Sequence, residues 1–295
     1  MEYDAKHCML CPRRCGGDRS VAGGICKMPE DAILARAALH FWEEPCISGT
    51  QGAGTVFFSG CSLQCVYCQN YEISRENFGQ AVHSKRLQEI FAALIAQGAH
   101  NIDLVNPTHF SAVLQKTLKA ASLSVPLVWN SGGYERVETL RALDGLVDIY
   151  LPDFKYPDGE GAGRYSHAPD YPNVAKTAIC EMLRQTGPYV MKDDLLTRGV
   201  IIRHLILPGR VREAKAVMDW VAETFPAHTV LFSLMSQYVP LGLSNRFPEL
   251  NRCLYRGEIR AAIGYMESLG LDGYTQDATA AATHFVPEFD LHGVI

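Results

Sequence analysis

The sequence contains no apolar run approaching the roughly 20 residues of a membrane-spanning helix. Its opening, MEYDAKHCMLC, lacks the apolar core of a signal peptide. These absences lead us to expect a cytoplasmic protein with no membrane partner. A basic stripe is also missing. Lys and Arg number 27 against 32 Asp and Glu, and Arg13, Arg14 and Arg19 form only a small cluster among cysteines. A net charge of −5 therefore disfavours nucleic acid, whose phosphates call for a basic surface. No internal repeat is present, which argues against a solenoid. The glycines of GTQGAG have the wrong spacing for a phosphate loop, and no lysine follows them.

Cysteine, by contrast, is abundant, with ten in 295 residues. In a reducing compartment that count indicates metal binding or redox chemistry before disulfides. Cys46, Cys180 and Cys253 stand apart from the clusters, and Cys180, inside VAKTAICEMLRQ, is expected in the core. The remaining seven fall into two sets. In FFSGCSLQCVYCQNYEIS the thiols of Cys61, Cys65 and Cys68 occupy eight positions directly behind an apolar run. A structural zinc or a closed iron–sulfur cluster takes four ligands. Three thiolates on a four-iron cube leave one iron open, which suits a centre that grips a cofactor or substrate. A zinc site with a remote fourth ligand, such as Cys46 or His40, is the alternative. The second set, Cys8, Cys11, Cys15 and Cys26, supplies four thiolates, enough for either zinc or a closed cluster. Residues 1–50 are accordingly expected as a cysteine-rich metal-binding segment.

From residue 51 to 295 strand-like and helix-like text alternates. TVFFSG, NIDLV, PLVWN, VDIYL, GVIIRHLIL, TVLFSLM and DGYTQD are expected as strands, separated by amphipathic helices such as KRLQEIFAALIAQG. Continuous apolar strands between such helices imply a parallel sheet. Six βα units predict an α/β fold with a partial (β/α)6 barrel, with a doubly wound sheet as the competitor. Loops at the C-terminal ends of the strands carry the chemistry in such folds. Those loops hold the three thiols, Asn106-Pro107-Thr108, Asn130-Ser131, Asp153 with Lys155, and Gln237. Arg203, a cation within IIRHLIL, requires a buried partner.

GCSLQCVYCQN resembles the radical S-adenosylmethionine (SAM) signature, including Tyr67 just before the last cysteine. EEPCISGTQGAGTVFFSGCSLQCVYCQNYEIS, WNSGGYE, IIRHLILPG and LMSQYVPLG are similar to the PflX-type group, related to pyruvate formate-lyase activating enzymes. The resemblance implies a TIM-like partial barrel and a [4Fe–4S] cluster on Cys61, Cys65 and Cys68. It also implies reductive cleavage of SAM to a 5′-deoxyadenosyl radical, with flavodoxin or ferredoxin as the reductant. Tyr67 would lie near the adenine. Asn106 and Thr108 stand where a Gly-Gly-Glu stretch commonly meets the methionine ammonium. Asn130 and Ser131 would face the ribose. Asp153 and Lys155 would reach a hydroxyl, ammonium or carboxylate, and Arg203 either the SAM carboxylate or Asp153. A small-molecule substrate is expected, with His109, Tyr134, Glu135, Gln237 and Gln276 as candidates to contact it. The alternatives are an activase acting on a glycyl-radical partner protein and a lyase acting on a modified base such as queuine.

Overall fold

A computed structural model describes residues 3–276 and 287–295. Ten strands are present among them: β1 (Ala32–His40), β2 (Ala53–Phe58), β3 (Gln80–Val82), β4 (Ile102–Val105), β5 (Leu127–Ser131), β6 (Ile149–Pro152), β7 (Val190–Lys192), β8 (Leu195–Leu205), β9 (Leu231–Met235) and β10 (Gly273–Thr275). Nine helices accompany them: α1 (Pro45–Ser48), α2 (Tyr71–Ser74), α3 (Ser84–Ala96), α4 (Ser111–Ala120), α5 (Val137–Arg141), α6 (Gly159–Ser166), α7 (Tyr171–Thr186), α8 (Val211–Thr224) and α9 (Arg256–Leu269). The strands lie in the order β10-β9-β8-β6-β5-β4-β2-β1-β3, and from β10 to β2 every pairing is parallel. This is the expected α/β partial barrel, open between β10 and the antiparallel β1–β3 edge.

Three strands were not legible in the sequence. β1 and β3 add antiparallel to β2, and β7 forms a hairpin with β8. AILARAALH is alanine-rich and so a poor strand former by propensity; its pairing with β2 decides it. β1 lies before residue 50 and yet belongs to the same sheet as the barrel, so the sheet crosses that expected boundary. Cys180 corrects another expectation. The phase of α7 buries Ala178, Ile179 and Met182 and leaves Cys180 exposed.

The two faces of the parallel strands serve different purposes, because side chains alternate with period two. One face carries Val56, Leu104, Trp129, Tyr150, Ile202 and Phe232 into the main core with Leu87, Ile90, Met182 and Val217 of the helices. The opposite face begins with a separate apolar plug of Ala53, Val128, Ile149, Ile201 and Leu231, closed by Cys46 and Ile47 of α1. Two residues further along the same column come Thr55, Asn130, Arg203 and Ser233, all buried or half-buried. The barrel is thus dry at one end and polar toward the rim.

Residues 3–30 contain no strand and only a single turn of 3-10 helix, Arg19–Val21, yet they are fastened to the barrel. Arg19 is only 1% exposed. It donates to the carbonyls of Pro29 (2.6 and 2.9 Å) and His109 (2.6 Å), and its guanidinium lies over the Phe110 ring. Arg13 donates to Ser62 (2.8 Å) and Ser166 (2.7 Å), and Gln64 to Ile25 (2.9 Å). Gly60 permits this close approach: at φ +79° a Cβ there would sit 2.3 Å from Met28 Cγ. Arg19→Met should cost about 3 kcal/mol or more in local stability, since it strands buried carbonyls that accept from a charge. Thermolysin should then cut within residues 1–30 while the barrel stays intact. A digestion pattern unchanged from the parent chain would show that Arg19 is not the anchor.

Candidate active site

At the rim of the barrel a cavity of ≈ 190 Å³ is lined by Cys61, Cys65 and Cys68, and also by Tyr67, Asn106, Asn130, Ser131, Asp153, Lys155, Arg203 and Gln237. The fold thus brings together most of the residues singled out from the sequence, from the ends of several parallel strands and the segments that follow them. The cysteine loop follows β2. Burial, and then the neighbouring Cys65 and Cys68, push the Cys61 thiol up to about 12; Cys68 is raised by burial and by Cys65. Adjacent thiols in such a place ionise together only when a metal supplies the compensating charge, so the donor set fits a metal centre. Among the described residues no three His, Cys, Asp or Glu side chains converge as a single ion requires. A cube suits this arrangement, because its thiolates stand on separate irons.

The hydrogen bonds around this loop involve residues the sequence did not point to. Ser166 Oγ donates to Cys65 Sγ at 3.0 Å. Tyr156 OH lies 2.7 Å from Ser166 Oγ, and Tyr67 OH donates to Tyr156 at 2.8 Å. Tyr67 lines the cavity with its ring, while its hydroxyl is committed to this chain. No spacing rule links Tyr156 and Ser166 to a loop some 90 residues earlier, so only the packing of α6 reveals them.

Asn106 adopts φ +60°, and its Nδ2 donates to the Gly60 carbonyl at 2.5 Å, which leaves Oδ1 as an acceptor at the cavity. The loops after β5 and β6 touch at Gly133. With φ +72°, a Cβ there would lie 2.1 Å from the Asp153 carbonyl. Tyr171 OH knits the same loops, donating to Asp153 O (2.7 Å) and Gly132 O (3.0 Å) and accepting from Lys155 N (2.9 Å).

Arg203 sits at the centre of the polar layer. Its Nε donates to Asp153 Oδ1 (3.0 Å), one terminal nitrogen to Glu43 Oε2 (3.1 Å) and the other to Asn130 Oδ1 (2.6 Å). Lys155 Nζ pairs with the other oxygen of Asp153. Burial opposes ionisation of Asp153, but Lys155 and Arg203 outweigh it and hold the carboxyl below its usual range. Of the two partners expected for Arg203, Asp153 is therefore the one in place, and Glu43 is an addition the sequence did not suggest. A second cavity of ≈ 250 Å³ adjoins the first and is lined in part by His40, Glu43, Glu44, Gln237 and Gln276. Cys46 lines neither cavity, and His40 only the second, away from the three thiols.

Four of the SAM and substrate candidates from the sequence line neither cavity. The chain after β4 and β5 turns inward beneath the rim, and there Thr108 Oγ1 (2.6 Å) and Trp129 Nε1 (3.1 Å) donate to Glu135 Oε1. His109 Nε2 lies 2.7 Å from the Ser59 carbonyl, and burial depresses its pKa to about 3. Tyr134 OH donates to Asp170 at 2.8 Å. Gln237 and Gln276 thus remain as the substrate candidates near a cavity. Cys8, Cys11 and Cys26 are buried and Cys15 is exposed, with Arg19 against Cys8 Sγ at 3.8 Å.

Glu135 gives a pH test of its placement. Burial pushes it up to about 7 from an ordinary 4.5, and its Oε2 has no hydrogen-bond partner. A carboxyl with a raised folded pKa stabilises fully below its unfolded value, and that contribution is lost as pH rises through about 7. Urea unfolding of the metal-free chain at pH 5 and pH 8 should show Glu135→Gln gaining about 3 kcal/mol on the parent over that interval. Equal pH dependence of the two proteins would place Glu135 in water.

Residues 48–150 match the family model described as a 4Fe-4S single cluster domain. Over 276 residues the chain is 30% identical to the uncharacterized protein MJ0674 of Methanocaldococcus jannaschii, covering 90% of this chain and 76% of that protein. At that identity and coverage the two are members of one family. Among solved structures, a radical SAM methyltransferase from Sphaerobacter thermophilus aligns with a TM-score of 0.52 at 10% identity, over 75% of this chain and 66% of that one. Streptococcus suis SuiB bound to S-adenosylmethionine aligns with a TM-score of 0.52 at 13% identity, over 74% and 48%. The chain therefore spans about two thirds and about half of these two proteins, and at such identities they speak for the fold. The barrel they share, the cluster model across the β2 loop and the three thiols spaced as in the SAM signature agree: this chain belongs to the radical SAM superfamily, the enzymes that pair a [4Fe–4S] cluster with S-adenosylmethionine.

Proposed function

We propose that Cys61, Cys65 and Cys68 hold the cluster, that SAM occupies the cavity beside them, and that the enzyme removes a hydrogen atom from a small-molecule substrate. When bound, the cluster supplies one electron, drawn from a flavodoxin or ferredoxin, that splits SAM into methionine and a 5′-deoxyadenosyl radical. The observation that carries this reading is the set of three thiols, with no fourth, on a cavity otherwise walled by short polar side chains. Asn106 Oδ1 and Ser131 are acceptors suited to an ammonium and a ribose. Lys155 offers a cation whose position Asp153 fixes. The Ser166 hydroxyl, donated to Cys65, stabilises negative charge on that sulfur, and the tyrosine hydroxyls behind it keep the donor oriented. The apolar plug and the aromatic wall of Tyr67, Tyr156, Tyr165 and Tyr238 exclude water from the reacting end.

A second metal centre is proposed at Cys8, Cys11, Cys15 and Cys26. Four thiolates satisfy zinc or a cluster. The hydrogen bonds from Arg13 to Ser62 and from Gln64 to Ile25 set this segment against the β2 loop, which suits electron relay.

Anaerobically reconstituted protein with dithionite and SAM should release 5′-deoxyadenosine. Cys61→Ala, Cys65→Ala and Cys68→Ala should each reduce it to background; cleavage in any of them with the cluster intact would defeat the ligand assignment. The protein lacking all three thiols isolates the N-terminal set. It should retain about four irons with sulfide, visible by electron paramagnetic resonance, and lose them with Cys8 and Cys11. One zinc would mean a structural staple instead, and no metal would remove the second site altogether.

A further inference from the structure

The cavity next to the cluster cavity has no role in the reading above. The two share Gln69, Arg203, Met235 and Gln237, so a molecule in the second reaches the reacting end of the first. Its floor is the connection between β1 and α1, which carries Glu43 and Glu44; Tyr274 and Gln276 of the β10 segment form another side.

Carboxyl groups outnumber cations in this region. Arg203 faces Asp153, Glu44, Glu43 and Asp103, and Lys155 pairs with Asp153 alone among them. Four carboxyl groups thus share two cations. The guanidinium directs its hydrogen bonds to Asp153, Glu43 and Asn130, and none to Glu44. Glu44 is 8% exposed, lines the cavity, and has no hydrogen-bond partner at Oε2. Behind it, Asp103 is fully buried on β4 with Oδ1 equally unpartnered. Burial, countered by Arg203 and reinforced by Glu43, pushes Glu44 up to about 7, and Asp103 is raised well above its usual range. His40, the one imidazole among the residues lining this cavity, is held toward its neutral form by burial and by Arg36, so it supplies no compensating charge, and burial keeps the Tyr274 phenol protonated. Ser233 hydrogen-bonds the Glu44 carboxyl, but Oε2 is left bare; a buried carboxylate oxygen without a donor is costly, and the cost is relieved when a cationic donor arrives.

We propose that this second cavity is the substrate site and that it binds an organic amine, whose ammonium group donates to Glu44. An ammonium brings three N–H donors and one positive charge, which meets both deficits. The volume of ≈ 250 Å³ exceeds an ion, and the ring of Tyr274 and the thioether of Met235 offer apolar surface to a carbon skeleton. A metal ion does not fit, because no three acidic or imidazole groups converge there among the described residues. The inference rests on the first cavity being the SAM and cluster site.

The test uses unreduced, cluster-loaded protein saturated with SAM at pH 8, titrated with butylammonium, 1-butanol and butyrate in a calorimeter. SAM carries its own ammonium, and saturation keeps that site filled. Butylammonium should bind at least tenfold more tightly than the other two, and Glu44→Gln should weaken it by a further tenfold or more. Butanol or butyrate binding equally well would overturn the proposal. So would displacement of the amine by SAM, potassium or magnesium, or indifference to Glu44→Gln. If that variant does not fold, as judged by circular dichroism, the ranking of the three probes on the parent protein decides alone. 5′-Deoxyadenosine formation, measured on the same preparation after reduction, separates the two readings. Cleavage without amine binding sinks only this inference, whereas amine binding without cleavage sinks the assignment of the first cavity.

Discussion

One half-buried guanidinium organises the reactive end of this barrel. Arg203 lies on a central strand, where a lone cation is prohibitively costly, so the surrounding structure must deliver partners to it. Asp153 comes from the segment after β6, directly across an isolated parallel bridge. Asn130 comes from β5, and Glu43 from the connection behind β1. Four separate parts of the chain are thereby brought to one point. The same contacts hold Asp153 ionised, and Asp153 in turn positions Lys155 at the cavity wall. A residue that reads as a cofactor ligand in the sequence is thus first of all a fixture of the site, and its neighbours line the cavity.

The cysteine loop is held by its surroundings in a comparable way. On one side, Arg13 and Met28 of the N-terminal segment press against it; on the other, Ser166 donates directly to Cys65, backed by the hydroxyls of Tyr156 and Tyr67. Both supports come from segments remote in sequence. They act on charge as well as position, since hydrogen bonds to cluster sulfurs and restricted solvent access govern how readily such a centre accepts an electron. The dry plug below and the polar layer above complete the arrangement. A reactive radical needs a site from which water is excluded, yet whose walls still recognise polar groups.

Two adjoining cavities divide the work. The one beside the thiols is rimmed by small acceptors and one fixed cation, which suits a zwitterionic cofactor. Its neighbour carries more carboxyl groups than cations. This division depends on Glu43 and Glu44, which sit in an irregular connection that sequence patterns treat as punctuation.

The barrel and its chemical centre were legible because both rest on local rules. Strand and helix periodicity reports which face of each segment is buried, and the seven parallel strands follow from it. The three thiols are close in sequence, so their spacing alone places them together on one loop. Rim residues such as Asn106, Ser131, Asp153 and Lys155 were found because the strands' C-terminal ends can be counted along the chain. What remained hidden depends on packing between distant segments. β1 is alanine-rich and becomes a strand only by pairing with β2. Thr108, His109, Tyr134 and Glu135 occupy the same strand-end loops as the true rim residues, but the chain turns them inward, where they bond to one another, to the backbone and to Asp170 instead of facing the cavity. Arg19 looks like a surface cation and is instead the buried anchor of the first thirty residues. Periodicity and spacing describe how a segment meets its immediate neighbours, so the sequence by itself determined the fold class and the thiol centre. Which polar side chains face the cavity, and which are consumed beneath it, depends on contacts across tens to hundreds of residues, and only the tertiary structure decided that.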